Sequence, residues 1–149
     1  KAAPVLHPVV VALDAYDIQR DGTSMAQWVG PDVGLRVANL GEESVAVTIS
    51  MTVEGVDSTP RELTITDPLG KVVVRQPLAP RGPTAVSMTT DATAGATAFR
   101  LRISGDPVRQ PTTGQLVSAR VRDLTASSTD SGVRVVSMHD QVRSGAVAP

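Results

Sequence analysis

The sequence predicts an all-β protein, a two-sheet antiparallel β-sandwich or jelly roll of about eight or nine strands. Three observations carry the prediction. Between Val45 and Val53, the apolar Val45, Val47, Ile49, Met51 and Val53 alternate with Ala46, Thr48, Ser50 and Thr52. That spacing puts an apolar row and a small polar row on opposite faces of an extended strand. The run is rich in β-branched residues, which lose rotamer freedom in a helix and pack well on a pleated surface. No segment longer than a turn has helical periodicity, while turn signals recur at sandwich spacing.

At 149 residues the chain suits one domain that buries roughly 70% of its unfolded surface. Residues 1–8 read as an extended lead-in, 9–140 as a single sandwich domain and 141–149 as a flexible tail. With one Trp, one Tyr and one Phe, the core must be built from Val, Leu, Ile, Met and Ala. Net charge is −1, and the basic residues, almost all Arg, are interspersed with acids. This gives no electrostatic footprint for nucleic acid or an anionic bilayer. Absence of Cys removes disulfides and thiolate metal sites and is compatible with the outside of a bacterial cell. Preference for Arg over Lys, with Ala at small positions, suggests a high-GC genome. The apolar run Val9 to Leu13 is too short to cross a bilayer, which takes ~20 residues, so no membrane insertion by this segment is expected. Lys1 to Pro8 lacks the apolar stretch of a signal peptide, and a start at Lys1 rather than Met reads as a chain processed or excised from something longer.

In chain order, Val9 to Ile18 reads as extended, with a reversal at Arg20-Asp21-Gly22, and Ser24 to Val29 returns carrying Trp28. After Gly30-Pro31-Asp32, Leu35 and Val37 start an alternation that Asn39-Leu40-Gly41 turns into the Val45–Val53 run, a hairpin with one face in the core. Glu62 to Thr66 and Lys71 to Arg75 pair around Asp67-Pro68-Leu69-Gly70, with Leu63 and Ile65 inward. Pro77, Pro80 and Pro83 make 76–83 irregular. Ala85 to Met88 is short and extended. In Thr97 to Ser104, Phe99, Leu101 and Ile103 alternate with Arg100 and Arg102, a half-buried strand with a charged outer face. Gly105 to Gly114 is a loop, and Leu116 to Thr125 and Val133 to Met138 are the last strands.

Tyr16-Asp17, Arg20-Asp21-Gly22, Gln27-Trp28, Leu35-Arg36-Val37-Ala38-Asn39 and the closing strand Leu116 to Leu124 together resemble a β-sandwich accessory domain. Such domains are attached to bacterial polytopic membrane glycosyltransferases and related envelope-glycan proteins. This chain has Asp17 where a glutamate is commoner and Gln27 where arginine is expected. The resemblance implies a non-catalytic module outside the cytoplasmic membrane, similar to carbohydrate-binding modules, with a cell-envelope glycan and the rest of a larger membrane protein as partners.

Candidate ligand-binding residues are Tyr16, Asp17, Trp28 and Arg36. An aromatic plane packs against the C–H face of a sugar while its hydroxyl or N–H reaches a polar partner; the alternative for Tyr16 and Trp28 is a place in the core or bracing the first hairpin. Arg36, Arg100 and Arg102 suit bidentate contacts to anionic glycan groups, or simply form a solvated strand face. Asp14, Asp17 and Asp21 flank the first turn, but strand alternation separates Asp14 from Asp17 and there is no acid-dense calcium loop. His7 and His139 lack a nucleophile elbow and are expected in exposed terminal segments. No glycine-rich phosphate loop is present. The reading is therefore no catalysis, no metal and no cofactor. A structural or assembly protein, such as a phage decoration or tail component in a virion or an adhesin-type module, is the alternative; a hydrolase is the third.

Overall fold

The computed structural model describes residues 7–130 and 133–145, with the side chain of His7 excepted. Residues 1–6 of the expected lead-in, 146–149 of the expected tail, and the His7 side chain lie outside the described residues.

The elements in order are β1 (His7–Asp14), β2 (Ile18–Asp21), β3 (Ser24–Val29), β4 (Asp32–Asn39), β5 (Val45–Gly55), β6 (Arg61–Thr66), β7 (Val72–Leu78) and β8 (Pro83–Ala92). Then come β9 (Gly95–Ile103), β10 (Val108–Arg109), β11 (Leu116–Val117), β12 (Ala119–Ser127), β13 (Val133–Ser137) and the helix α1 (Met138–Arg143). A six-stranded sheet in the order β13-β1-β4-β9-β6-β7 faces a five-stranded sheet in the order β2-β3-β12-β5-β8, and β10 and β11 form a two-stranded ribbon. The strands thus form an all-β sandwich of jelly-roll type, with more strands than the eight or nine expected, because short pieces such as β2, β10 and β11 pair as strands. Among the described residues one pair, β1 with β13, is parallel.

Alternation dictates the core. Leu35 and Val37 of β4, Leu63 and Ile65 of β6, and Phe99, Leu101 and Ile103 of β9 face Val47, Ile49, Met51 and Val53 of β5 and Val121 and Leu124 of β12. Full burial of each such aliphatic side chain stabilises by about 1.5–3 kcal/mol. Phe99 is the one aromatic residue in this cluster.

The predicted hairpin between Leu35 and Val53 is instead an arch. β4 belongs to the six-stranded sheet and β5 to the five-stranded one. The reason lies in Asn39, which is buried. Its Nδ2 donates to Glu43 O and Ala92 O at 2.8 Å each, and its Oδ1 accepts Gly41 N–H at 2.9 Å. Those bonds shape residues 40–44 and tie the end of β4 to the end of β8, so the two apolar rows meet face to face across the core. An alternating pattern is equally satisfied by either arrangement.

Other departures have local causes. β1 and β2 are separate strands of different sheets. β7 runs through Pro77 to Leu78 and β8 starts at Pro83; both are edge strands, where a missing N–H leaves no ladder bond broken. In β12 the register shifts after Arg122, with Asp123 at a φ of 52. Residues Gln141, Val142 and Arg143, read as tail, belong to α1. Ser137 caps that helix by accepting Asp140 N–H, Asp140 lies in its first turn and Arg143 in its last. His139, expected to be exposed, is fully buried.

Candidate functional site

The outer face of the five-stranded sheet carries the protein's one Trp. Register places Arg120 of β12 opposite both Trp28 of β3 and Glu54 of β5. All three are partly exposed on the polar row of their strands, whose apolar row faces the core. The Arg120 guanidinium lies over the indole, 5.1 Å from its centroid, a cation–π contact. Arg120 Nη1 donates to Asp21 Oδ2 at 3.1 Å; Arg122 donates through Nη2 to the same oxygen at 2.8 Å and through Nε to Glu54 Oε1 at 2.6 Å. The hydrogen bond from Arg122 holds the Asp21 carboxyl below its ordinary range, and the bonds to Glu54 and Asp21 raise the Arg122 guanidinium.

The ribbon of β10 and β11 overhangs this row. Arg109 Nη1 donates to Gly114 O at 2.7 Å and Gly114 N–H to Gln110 O at 2.8 Å, which closes its loop on itself. Between ribbon and sheet is a cleft of about 330 Å³ lined by Trp28, Glu54, Gly55, Val56, Val108, Arg109, Gln110, Pro111, Val117 and Arg120. Gly55 is required at its floor: a Cβ there would stand 2.7 Å from Arg81 N and 2.8 Å from Ala79 O.

A second cleft, of about 440 Å³, opens at the sandwich end and is lined by Asp14, Ala15, Tyr16, Gly30, Pro31, Asp32, Val33 and Leu116. Tyr16 is half-buried; its hydroxyl donates to Leu116 O at 3.0 Å and its N–H to Trp28 O at 3.3 Å. Arg36 pairs with Asp14 at 2.9 Å and Arg100 with Asp32 at 2.6 Å.

The four residues singled out from sequence are therefore divided. Trp28 lines the first cleft, Tyr16 the second; Arg36 stands behind the second through Asp14, and exposed Asp17 lines neither. β11 links the two, because Leu116 lines the second cleft and Val117 the first. Arg120, Glu54, Arg109 and Gln110 were not legible as site residues; the register of β12 against β3 and β5 brings Arg120 and Glu54 to Trp28, and the β10–β11 ribbon brings Arg109 and Gln110. Arg36, Arg100 and Arg102 do form a solvated, ion-paired strand face. Asp14 and Asp21 sit on different sheets, each held by arginine, and among the described residues no three His, Asp or Glu are grouped to hold a metal. His139 lines neither cleft. No described helix is long and apolar enough to cross a membrane.

Fold and clefts define a two-sheet β-sandwich module. No protein-family model matches the chain, and no curated protein does. Among solved structures it is similar to a family 35 carbohydrate-binding module from Clostridium thermocellum, at 9% identity and a TM-score of 0.44, over 81% of this chain and 98% of that one. It is also similar to a family 35 carbohydrate-binding module from an environmental isolate, at 10% identity and a TM-score of 0.46, over 77% of this chain and 88% of that one. A third similarity is to the exo-β-1,3-galactanase of Phanerochaete chrysosporium, at 10% identity and a TM-score of 0.42; it covers 80% of this chain, which spans only 29% of that enzyme. At such identities no site residue is carried across from them.

Proposed function

We propose that this chain is a non-catalytic, extracytoplasmic glycan-binding module whose ligand seat is the Trp28 cleft. The supporting observation is the placement of Trp28: in a protein with three aromatic side chains, it is kept out of the core and lines a cleft beside Arg120, with Glu54 on the far side of that arginine. A sugar presents apolar C–H faces and a rim of hydroxyls. An indole with a planar donor beside it and a carboxylate acceptor one strand further along the same cleft offers the matching surfaces, in a cleft within the ~300–1,000 Å³ range of small-ligand sites. In this reading Trp28 is the contact residue and Tyr16 braces β11 over the seat; Asp17 and Arg36 stand outside it.

The module belongs to the cell envelope, binding glycan for, or scaffolding, a membrane enzyme of envelope-glycan assembly. A native reading frame with several ~20-residue apolar spans supports this attachment, and a short free-standing frame removes it. A glycan array with wild type and Trp28→Ala tests the seat. Binding that disappears in the variant while thermal stability persists is expected. No binding by the wild type, or binding indifferent to Trp28→Ala, overturns the reading.

A further inference from the structure

We propose that α1 is an acid-released latch: it stays docked on the two sheets while the His139 imidazole is neutral, and acid favours its released form, in which the ring takes up a proton. In the docked helix His139 is completely buried. Its Nδ1 accepts the Leu124 N–H at 3.1 Å, its Nε2–H donates to Gln27 Oε1 at 3.1 Å, and Gln27 Nε2 donates to Leu13 O at 3.0 Å. A backbone N–H only donates and an amide oxygen only accepts, so the ring is fixed as the Nε2–H tautomer. A proton on Nδ1 would turn that acceptor into a donor opposed to the Leu124 N–H, away from water, and docking could not survive it intact.

The surrounding charges do not rescue the imidazolium. Asp123 of β12 and Asp140 of α1 favour it, yet both already hold Arg143, at 2.7 and 3.0 Å, whose charge opposes it. From β2, Arg20 and Asp21 are exposed, and Asp21 is tied to Arg120 and Arg122; from β1, Asp14 is exposed and tied to Arg36. β3 presents neutral Gln27 and the Met25 backbone, whose hydrogen bond favours the imidazolium least of the causes, and β13 presents neutral Ser137, its Arg134 being exposed. Burial dominates and pushes the ring from 6.5 down to about 4. Apart from His139, the helix is held by buried Val142, the Ser137 cap and the Arg143 pairs. Six residues do not persist as a helix off the protein, so release and unwinding are one event.

A ring held low when docked and ordinary when released takes its proton after release, so acid favours release. The released-to-docked ratio rises by up to about tenfold per pH unit between 6.5 and 4, and roughly fiftyfold from pH 7 to 4.5. Amide hydrogen exchange on the whole chain, corrected for intrinsic rates, reads this at Leu124 and Val142, with Ile49 and Leu63 as core references. Protection at Leu124 and Val142 should fall by roughly fiftyfold over that range and stay below that of the core amides, which open only by global unfolding and share the same proton linkage, and in His139→Gln the fall should vanish. Should that variant not fold, the His139 ring signal of a His7→Gln background, titrating far below 6.5, replaces it. Flat protection at Leu124, protection there no lower than in the core, or an imidazole titrating near 6.5 overturns the latch.

Discussion

Replacing Asn39 by alanine removes three hydrogen bonds from the arch that carries the chain between sheets: those to Glu43 O, Ala92 O and Gly41 N–H. The bond to Ala92 is buried and the other two are part-buried. A typical net bond contributes about 0.5–1.5 kcal/mol, and a buried carbonyl left without a donor costs a further ~1–3 kcal/mol. The expected loss is therefore about 3 kcal/mol, or a fall in Tm of about 6–12 °C for a domain of this length. Thermal and urea unfolding followed by circular dichroism measure it. Asn39→Asp is the companion variant: it keeps the acceptor for Gly41 N–H but turns a charged oxygen towards two carbonyls. It should lose at least as much at pH 7 and recover part of the loss in acid, where the carboxyl regains a donor. A change below about 1 kcal/mol in Asn39→Ala would refute the claim that this side chain holds the arch.

Three further outcomes follow from the same geometry. Gly55→Ala should lower the urea midpoint by the equivalent of about 2 kcal/mol or more, because the backbone of residues 79–81 leaves no room for a Cβ; an unchanged midpoint would mean that this approach relaxes freely. Trp28→Ala should lose less than about 2 kcal/mol, against the ~2–5 kcal/mol of Leu35→Ala, since Trp28 is partly exposed and Leu35 fully buried; equal losses would move Trp28 into the core. Hydrogen bonds from Arg61 and Arg122 hold Asp57 and Asp21 below their ordinary 3.8, so the stability they contribute is complete above that pH and lost as pH falls through their lowered values. Asp57→Asn should flatten part of that acid limb in a pH series of Tm, and an unaltered limb would count against it.

Much of the fold could be read directly. The Val45–Val53 alternation, the inward Leu63 and Ile65, and Phe99-Leu101-Ile103 all emerged as core because period-two patterning reports burial on one face without reference to partners. Partners are what it omits. Val37 and Val45 have the same pattern whether their strands lie side by side or across the core; the pairing of β4 with β1 and β9 and of β5 with β12 and β8, with the bonds of Asn39 at the arch, decides. The helix was missed because six residues carry little periodicity, although Ser137, Asp140 and Arg143 are start and stop signals for it. His139 looked terminal by number, and nothing local reveals that Gln27 and the bulged Leu124 N–H await it. The site was half legible: Trp28 stood out by rarity, whereas its companions Arg120 and Glu54 come from strands far apart in sequence that register alone unites.

The arch after Asn39 also makes the molecule interlocked. A single cut within residues 40–44 would leave β1 zipped to β13, β4 to β9 and β3 to β12, with no ladder running across the cut itself. Two fragments so produced have three seams and a shared interior with which to recognise each other. A nicked chain should accordingly stay together as a folded heterodimer, and the halves expressed apart should find one another.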